Sequence, residues 1–135
     1  MKNQSLPIRI AAALLAALVL YTVLWFLIPF RTYRGYEAAM PADIDTEIQY
    51  PHLFTWKGSI RMFVNAYSAL EIVPGVFGGY DLYAVFAGMS RDYRIALDGE
   101  MIPLEPINEE CEILLDECRS HLQEYLNRAE DIWAF

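Results

Sequence analysis

Apolar and polar positions divide the chain into two unlike parts. From Ile10 to Phe30 no residue is charged, and Leu, Ala and Val dominate. A helix of that length spans about 30 Å, the thickness of a bilayer's hydrocarbon core. Aromatic residues crowd its far end as Phe30, Tyr33 and Tyr36, where amphipathic rings suit the headgroup layer. Lys2 and Arg9 precede the run, as they would in a signal peptide. The run is longer than the roughly 7–15 residues of a signal-peptide core, and no small-x-small site follows it directly. The pattern therefore predicts an uncleaved signal-anchor that makes the protein single-pass.

Beyond the span the patterning changes. Residues 31–57 hold Gly35, Pro41, Pro51 and the acidic run Asp43-Ile44-Asp45-Thr46-Glu47. A structureless loop of that length is unusual in a compact domain. The segment reads as a tether containing a short strand near Glu47–Tyr50. From Gly58 to Val73, Met62, Phe63, Ala66, Tyr67 and Leu70 recur at helical spacing, with Ser59 as N-cap and Pro74-Gly75 as stop. Leu82–Ala87 reads as a buried strand. A second span over this region would place Glu71 and Asp81 in lipid, at about 2.5–3.5 kcal/mol for a mid-helix aspartate. Tyr93–Leu97 and Met101–Leu104, joined through Asp98-Gly99, read as a hairpin with Pro103 on an edge strand.

The carboxyl-terminal segment carries the clearest period. Asn108 can cap a helix whose positive end Glu109 and Glu110 complement. Cys111, Leu115, Cys118, Leu122, Tyr125, Ala129 and Ile132 alternate steps of four and three, one apolar stripe along a helix. The stripe is expected to pack on the chain's own sheet. A coiled-coil seam with a partner is the alternative, but the stripe is short and holds Tyr and Ala. The resulting fold class is α+β: a single transmembrane helix, then a small antiparallel sheet packed against a long carboxyl-terminal helix. The boundaries are a tail at 1–9, the span at 10–30, the tether at 31–57 and a small acidic domain at 58–135.

Charge narrows the partners. The formal net charge is −8 over 135 residues, yet residues 31–135 hold eight of the ten Lys/Arg and all 18 Asp/Glu, a net of −10. No basic stripe is present to displace counterions from phosphates, so nucleic acid is not an expected partner. An acidic field keeps a domain soluble or steers a basic partner toward it.

Candidate chemistry is sparse. Cys111 and Cys118, seven residues apart on one helix, lie about 10.5 Å apart and cannot pair while both are helical. Cys118 and His121 share a face, but neighbours on one helix cannot complete a zinc tetrahedron. Asp43, Asp45 and Glu47 begin like a calcium loop, but Ile48 stands where the turn needs glycine and Phe54 where it needs a carboxylate. Gly75, Gly78 and Gly79 do not form a phosphate-cradling motif. Neither a catalytic residue, a metal site nor a cofactor is expected. Glu71 and Asp81 are the two acids whose apolar surroundings single them out.

Binding candidates remain. Ala12/Ala16 and Ala13/Ala17 have the small-residue spacing that lets membrane helices approach closely, though alanine also faces lipid without cost. Tyr50, His52, Phe54 and Trp56 alternate and, if extended, would line one face of a strand. Such a face would serve a core, a partner or a lipid surface. Glu109, Glu112 and Asp116 offer an acidic helix face, and Trp133 with Phe135 an apolar end that docks into a partner or back onto the domain. The expectation is a non-enzymatic, membrane-anchored interaction domain, an accessory subunit of a membrane protein complex. The alternative is a membrane-anchored immunity or inhibitor protein that neutralises a basic toxin or hydrolase. The positive-inside rule places the domain outside the cytoplasm, by a margin of one charge.

Overall fold

The computed structural model describes residues 6–86, 93–102 and 108–135. Lys2, Ala87, Pro103 and Leu104, which enter the expectations above, lie outside the described residues.

A single unbroken helix fills the amino-terminal part. It runs as α1 (Leu6–Trp25), a π-helical turn (Phe26–Phe30) and α2 (Arg31–Ala38). Pro29 explains the turn. It brings no N–H to the ladder, and the widened π repeat absorbs the missing bond without ending the helix. Leu6–Ala38 is long and apolar enough to cross a membrane, and none of its most apolar stretch is buried inside the protein.

The expected tether is thereby corrected. Its first eight residues are α2, held because Tyr33 is buried while Arg31 and Arg34 face outward. The acidic domain also begins before residue 58, because β1 (Thr46–Gln49) is already part of the sheet.

Six strands form one antiparallel meander in chain order: β1, β2 (Ser59–Phe63), β3 (Ser68–Pro74), β4 (Tyr80–Phe86), β5 (Tyr93–Ala96) and β6 (Met101–Ile102). The helix expected over Gly58–Val73 is instead β2, a turn and β3. Two periods coexist there, and alternation wins. Ile60 and Met62 face the same side as Leu70 and Ile72, paired in register as Ile60 with Ile72 and Met62 with Leu70. Asn65 fixes the turn, its side-chain oxygen accepting from the backbone N–H groups of Tyr67 and Ser68 at 2.8 and 2.9 Å. The hairpin at Asp98-Gly99 is present, and only Gly99 takes the left-handed backbone, at φ +103°.

One face of the sheet carries the core. Rows of paired residues run across it as Ile48, Ile60, Ile72 and Leu82, and as Met62, Leu70, Ala84, Ile95 and Met101. The helix α3 (Glu109–Trp133) lies over them. Cys111, Leu115 and Cys118 cover Leu70, Ala84, Phe86 and Ile95, while Ala129 and Trp133 cover Ile60, Met62 and Ile72. The seven-residue stripe is thus spent within the chain. Asn108 caps α3, accepting from the Cys111 N–H at 2.9 Å. The meander puts the β1–β2 and β3–β4 connections at the end of the sheet reached by α2, and the start of α3 at the opposite end.

Candidate functional site

Two constellations stand out, one where the long helix enters the domain and one beneath the face opposite α3.

The junction is built from aromatic rings. Tyr33 sits under the β1–β2 connection, and its hydroxyl accepts from the Gly58 N–H at 3.3 Å. Only glycine fits there: a Cβ at position 58 would lie 2.2 Å from the Gln49 carbonyl oxygen and 2.7 Å from the Tyr33 ring. Burial pushes the Tyr33 phenol up to about 12. Phe30 packs on Tyr50 with centroids 5.0 Å apart, and the Tyr50 hydroxyl donates to the Glu37 carboxylate. Trp133 donates its indole N–H to the Tyr36 carbonyl at 3.1 Å. Phe135 fits between Tyr36 and Tyr80, at 5.7 and 5.6 Å. Helix, sheet and carboxyl terminus therefore meet in one apolar joint, beside a cavity of about 230 Å³ lined by Pro29, Tyr33, Tyr36, Trp56, Val76 and Phe135 among others.

The β1–β2 connection reaches further down the helix. Tyr21, inside the uncharged run, donates its hydroxyl to the Leu53 carbonyl at 2.5 Å, and its ring meets Trp56 at 5.8 Å. The loop is tightly closed. His52 N–H donates to the Lys57 carbonyl at 3.1 Å and Trp56 N–H to the His52 carbonyl at 2.9 Å. Trp56 takes φ +55° to do so, a conformation that a bulky residue adopts only when its surroundings hold it there. The loop presents Phe54 at its tip, 86% exposed.

On the other face of the sheet, Glu71 of β3 is fully buried. The Ser59 hydroxyl donates to one carboxylate oxygen at 2.7 Å and the Arg61 Nε to the same oxygen at 3.1 Å. The Arg94 guanidinium lies against the second oxygen. Arg94 also stacks over Tyr83, 5.0 Å from the ring centroid, and Arg61 reaches Glu47 at 3.7 Å. Register explains the set: Glu47, Arg61, Glu71 and Tyr83 occupy one cross-strand row. Burying a carboxylate is costly unless it is paired, and here the Ser59 hydroxyl and the Arg61 and Arg94 guanidinium groups surround it. A cavity of about 240 Å³ beside it is lined by Tyr50, His52, Lys57, Ser59, Tyr83 and Arg94 among others. Asp81, the other acid singled out from sequence, is exposed and pairs loosely with Lys57 at 3.9 Å.

The predicted binding residues scatter. Ala12, Ala13, Ala16 and Ala17 lie exposed on α1. Tyr50, Phe54 and Trp56 do not share a strand face, because β1 ends at Gln49 and the chain turns at 53–55. Tyr50 and Trp56 pack on the helix, and Phe54 alone points outward. Glu109, Glu112 and Asp116 are exposed on α3. Trp133, expected as a partner anchor, is 7% exposed and belongs to the domain's own core.

Cys118 faces the sheet, and burial pushes its thiol up to about 11, away from nucleophilic use. His121 turns instead to Glu124 at 3.5 Å and Tyr125. Among the described residues, no three His, Cys, Asp or Glu converge on a metal position. The Arg61 and Arg94 partners of Glu71 were missed from sequence. The alternation Leu70, Glu71, Ile72 set the acid against the core side, but only the register identifies its partners. No protein-family model matches the chain, and no curated protein or solved structure is similar to it.

Proposed function

We propose that this protein is a single-pass, membrane-anchored interaction domain that serves as an accessory subunit of a membrane protein complex, without catalysis of its own. One observation carries the reading. The apolar helix passes without a hinge into α2, and α2 is clamped by Gly58, Trp133 and Phe135. A partner gripped by the helix in the bilayer would meet the domain in a fixed orientation. The exposed alanine ladder Ala12/Ala16 and Ala13/Ala17 suits such a grip. Lys2 and Arg9 before the span, against Arg31 and Arg34 after it, favour a domain outside the cytoplasm.

The exposed side of α3 favours a second reading. The helix carries eight carboxylates against two arginines, suiting a membrane-tethered immunity or inhibitor protein facing a basic toxin or hydrolase. Purification of the tagged chain from its native membranes in mild detergent, with mass spectrometry of what accompanies it, separates the two. Integral membrane subunits in fixed stoichiometry, lost in an Ala12→Leu/Ala16→Leu variant, are expected for the first. One basic soluble protein, released by salt, would overturn it in favour of the second.

A further inference from the structure

Two loop tips at the helix-bearing end of the domain expose large apolar side chains for which the domain's own fold offers no place. Phe54 tips the β1–β2 connection, and Phe77 tips the β3–β4 turn, fully exposed beside the partly exposed Val76. Their position relative to the long helix says what they meet. The Tyr21–Leu53 hydrogen bond and the Tyr21–Trp56 ring contact hold the first tip beside α1, within the uncharged run. The second tip shares a cavity wall with Ile28, Pro29 and Thr32, about 10 Å further along the helix axis.

The same contacts mark where the anchor meets the domain. The domain covers one side of the helix from Trp25 onward, burying Pro29 and Tyr33, while Phe26, Leu27 and Ile28 stay bare on the other side. The bare, uncharged stretch runs from Ile10 to Ile28 and covers about 30 Å, with Arg9 just before it. The bilayer boundary then falls near Trp25–Phe30, where Trp25, Phe26 and Phe30 cluster one turn beyond the Tyr21–Trp56 ring pair that joins helix and domain.

We infer that Phe54 and Phe77 are membrane-inserting anchors, entering the boundary between headgroups and acyl chains beside α1 so that the domain stands on the bilayer at three points. The ligand is the apolar lipid interface itself. The domain is acidic, and the positively charged side chains near these tips are few, so burial of the rings rather than attraction to anionic headgroups drives the contact. The closed geometry around Trp56 keeps Phe54 presented, so little ordering entropy opposes its insertion. At the far edge of the sheet, Asp98 and Glu100 keep the β5–β6 turn in water, so the domain meets the membrane by its β1–β4 half.

The inference rests on the anchored reading above, and one experiment tests both separately. The full chain is reconstituted into phosphatidylcholine nanodiscs with single spin labels at Leu15→Cys, Phe54→Cys, Phe77→Cys and, at the opposite end of the sheet, Ala66→Cys. Cys111 and Cys118 are buried, and the unmutated chain serves as the labelling blank. Accessibility to oxygen against a water-soluble nickel complex reports depth. Leu15 is expected deepest, Phe54 next, Phe77 shallower, and Ala66 in water. Leu15 in hydrocarbon with either Phe54 or Phe77 as wet as Ala66 would overturn the inference alone. Leu15 in water would overturn the anchored reading with it. Labels at 54 or 77 immobilised against a second copy, without lipid accessibility, would also overturn it.

Discussion

Glu71 is the residue at which the sheet is most exposed to damage. It has no water to retreat to, and its carboxylate holds Ser59, Arg61 and Arg94 together. Removing one member of a buried ion pair leaves the others desolvated and unpaired, which costs about 3–5 kcal/mol. Glu71→Ala is expected to lose stability of that order in chemical denaturation. The same change made in an Arg61→Ala background should cost less, because the partner is already gone. Equal costs in both backgrounds would show that the three groups do not act as a set. Cys118 supplies a prediction of another kind. Its thiol titrates near 11 when folded against an ordinary 9.0, so the folded state holds the proton more tightly. The stabilisation is complete below pH 9 and is lost as pH rises from 9 through 11, about 2–3 kcal/mol in all. Tyr33, raised to about 12, loses its own share from pH 10 upward in both chains, so the steeper fall of the denaturation midpoint in the native chain than in Cys118→Ala reports the thiol. Parallel curves would refute the assignment.

Among the elements, α3 is the one whose beginning is written most plainly. Asn108 accepts the Cys111 N–H at 2.9 Å, and Asn108→Ala should cost about 1 kcal/mol by thermal unfolding, with Asn108→Ser recovering most of it. A null effect in both would mean that packing alone fixes the helix start. The stripe from Cys111 to Ile132 was legible because a 3.6-residue period persists over the whole helix and nothing competes with it. The turn at Asp98-Gly99 was legible for a local reason, the positive φ that glycine supplies. The segment from Gly58 to Val73 was not. Met62, Ala66 and Leu70 fit a helix as well as Met62, Leu70 and Ile72 fit two strands, and the choice is made by long-range pairing of Ile60 with Ile48 and Ile72. Asn65 was the overlooked local signal, since its side chain closes the turn that separates the strands. The aromatic alternation from Tyr50 to Trp56 misled in the opposite direction. Those residues lie in a loop whose shape is dictated by the helix beside it, which no short-range pattern encodes.

The whole molecule behaves as one body if the carboxyl terminus locks the long helix to the sheet. Trp133 ties the end of α3 to the Tyr36 carbonyl, and Phe135 wedges between Tyr36 and Tyr80. Trp133 and Phe135 thereby connect the core over Ile60, Met62 and Ile72 to the long helix. Arg31 and Arg34 make that lock measurable, because both are exposed on α2 and trypsin cleaves after either once the helix opens locally. Trp133→Ala removes a large buried side chain and should cost about 3–5 kcal/mol in the domain. It also frees α2 specifically. In native conditions the variant is expected to be cut after Arg31 or Arg34 at least tenfold faster than the unaltered chain. Arg119, on the outer face of α3 away from the lock, serves as the internal reference: a selective rise at Arg31 and Arg34 reports release of the helix. A uniform rise at all three sites would report global loosening instead, and would mean that Trp133 does not lock the helix to the sheet.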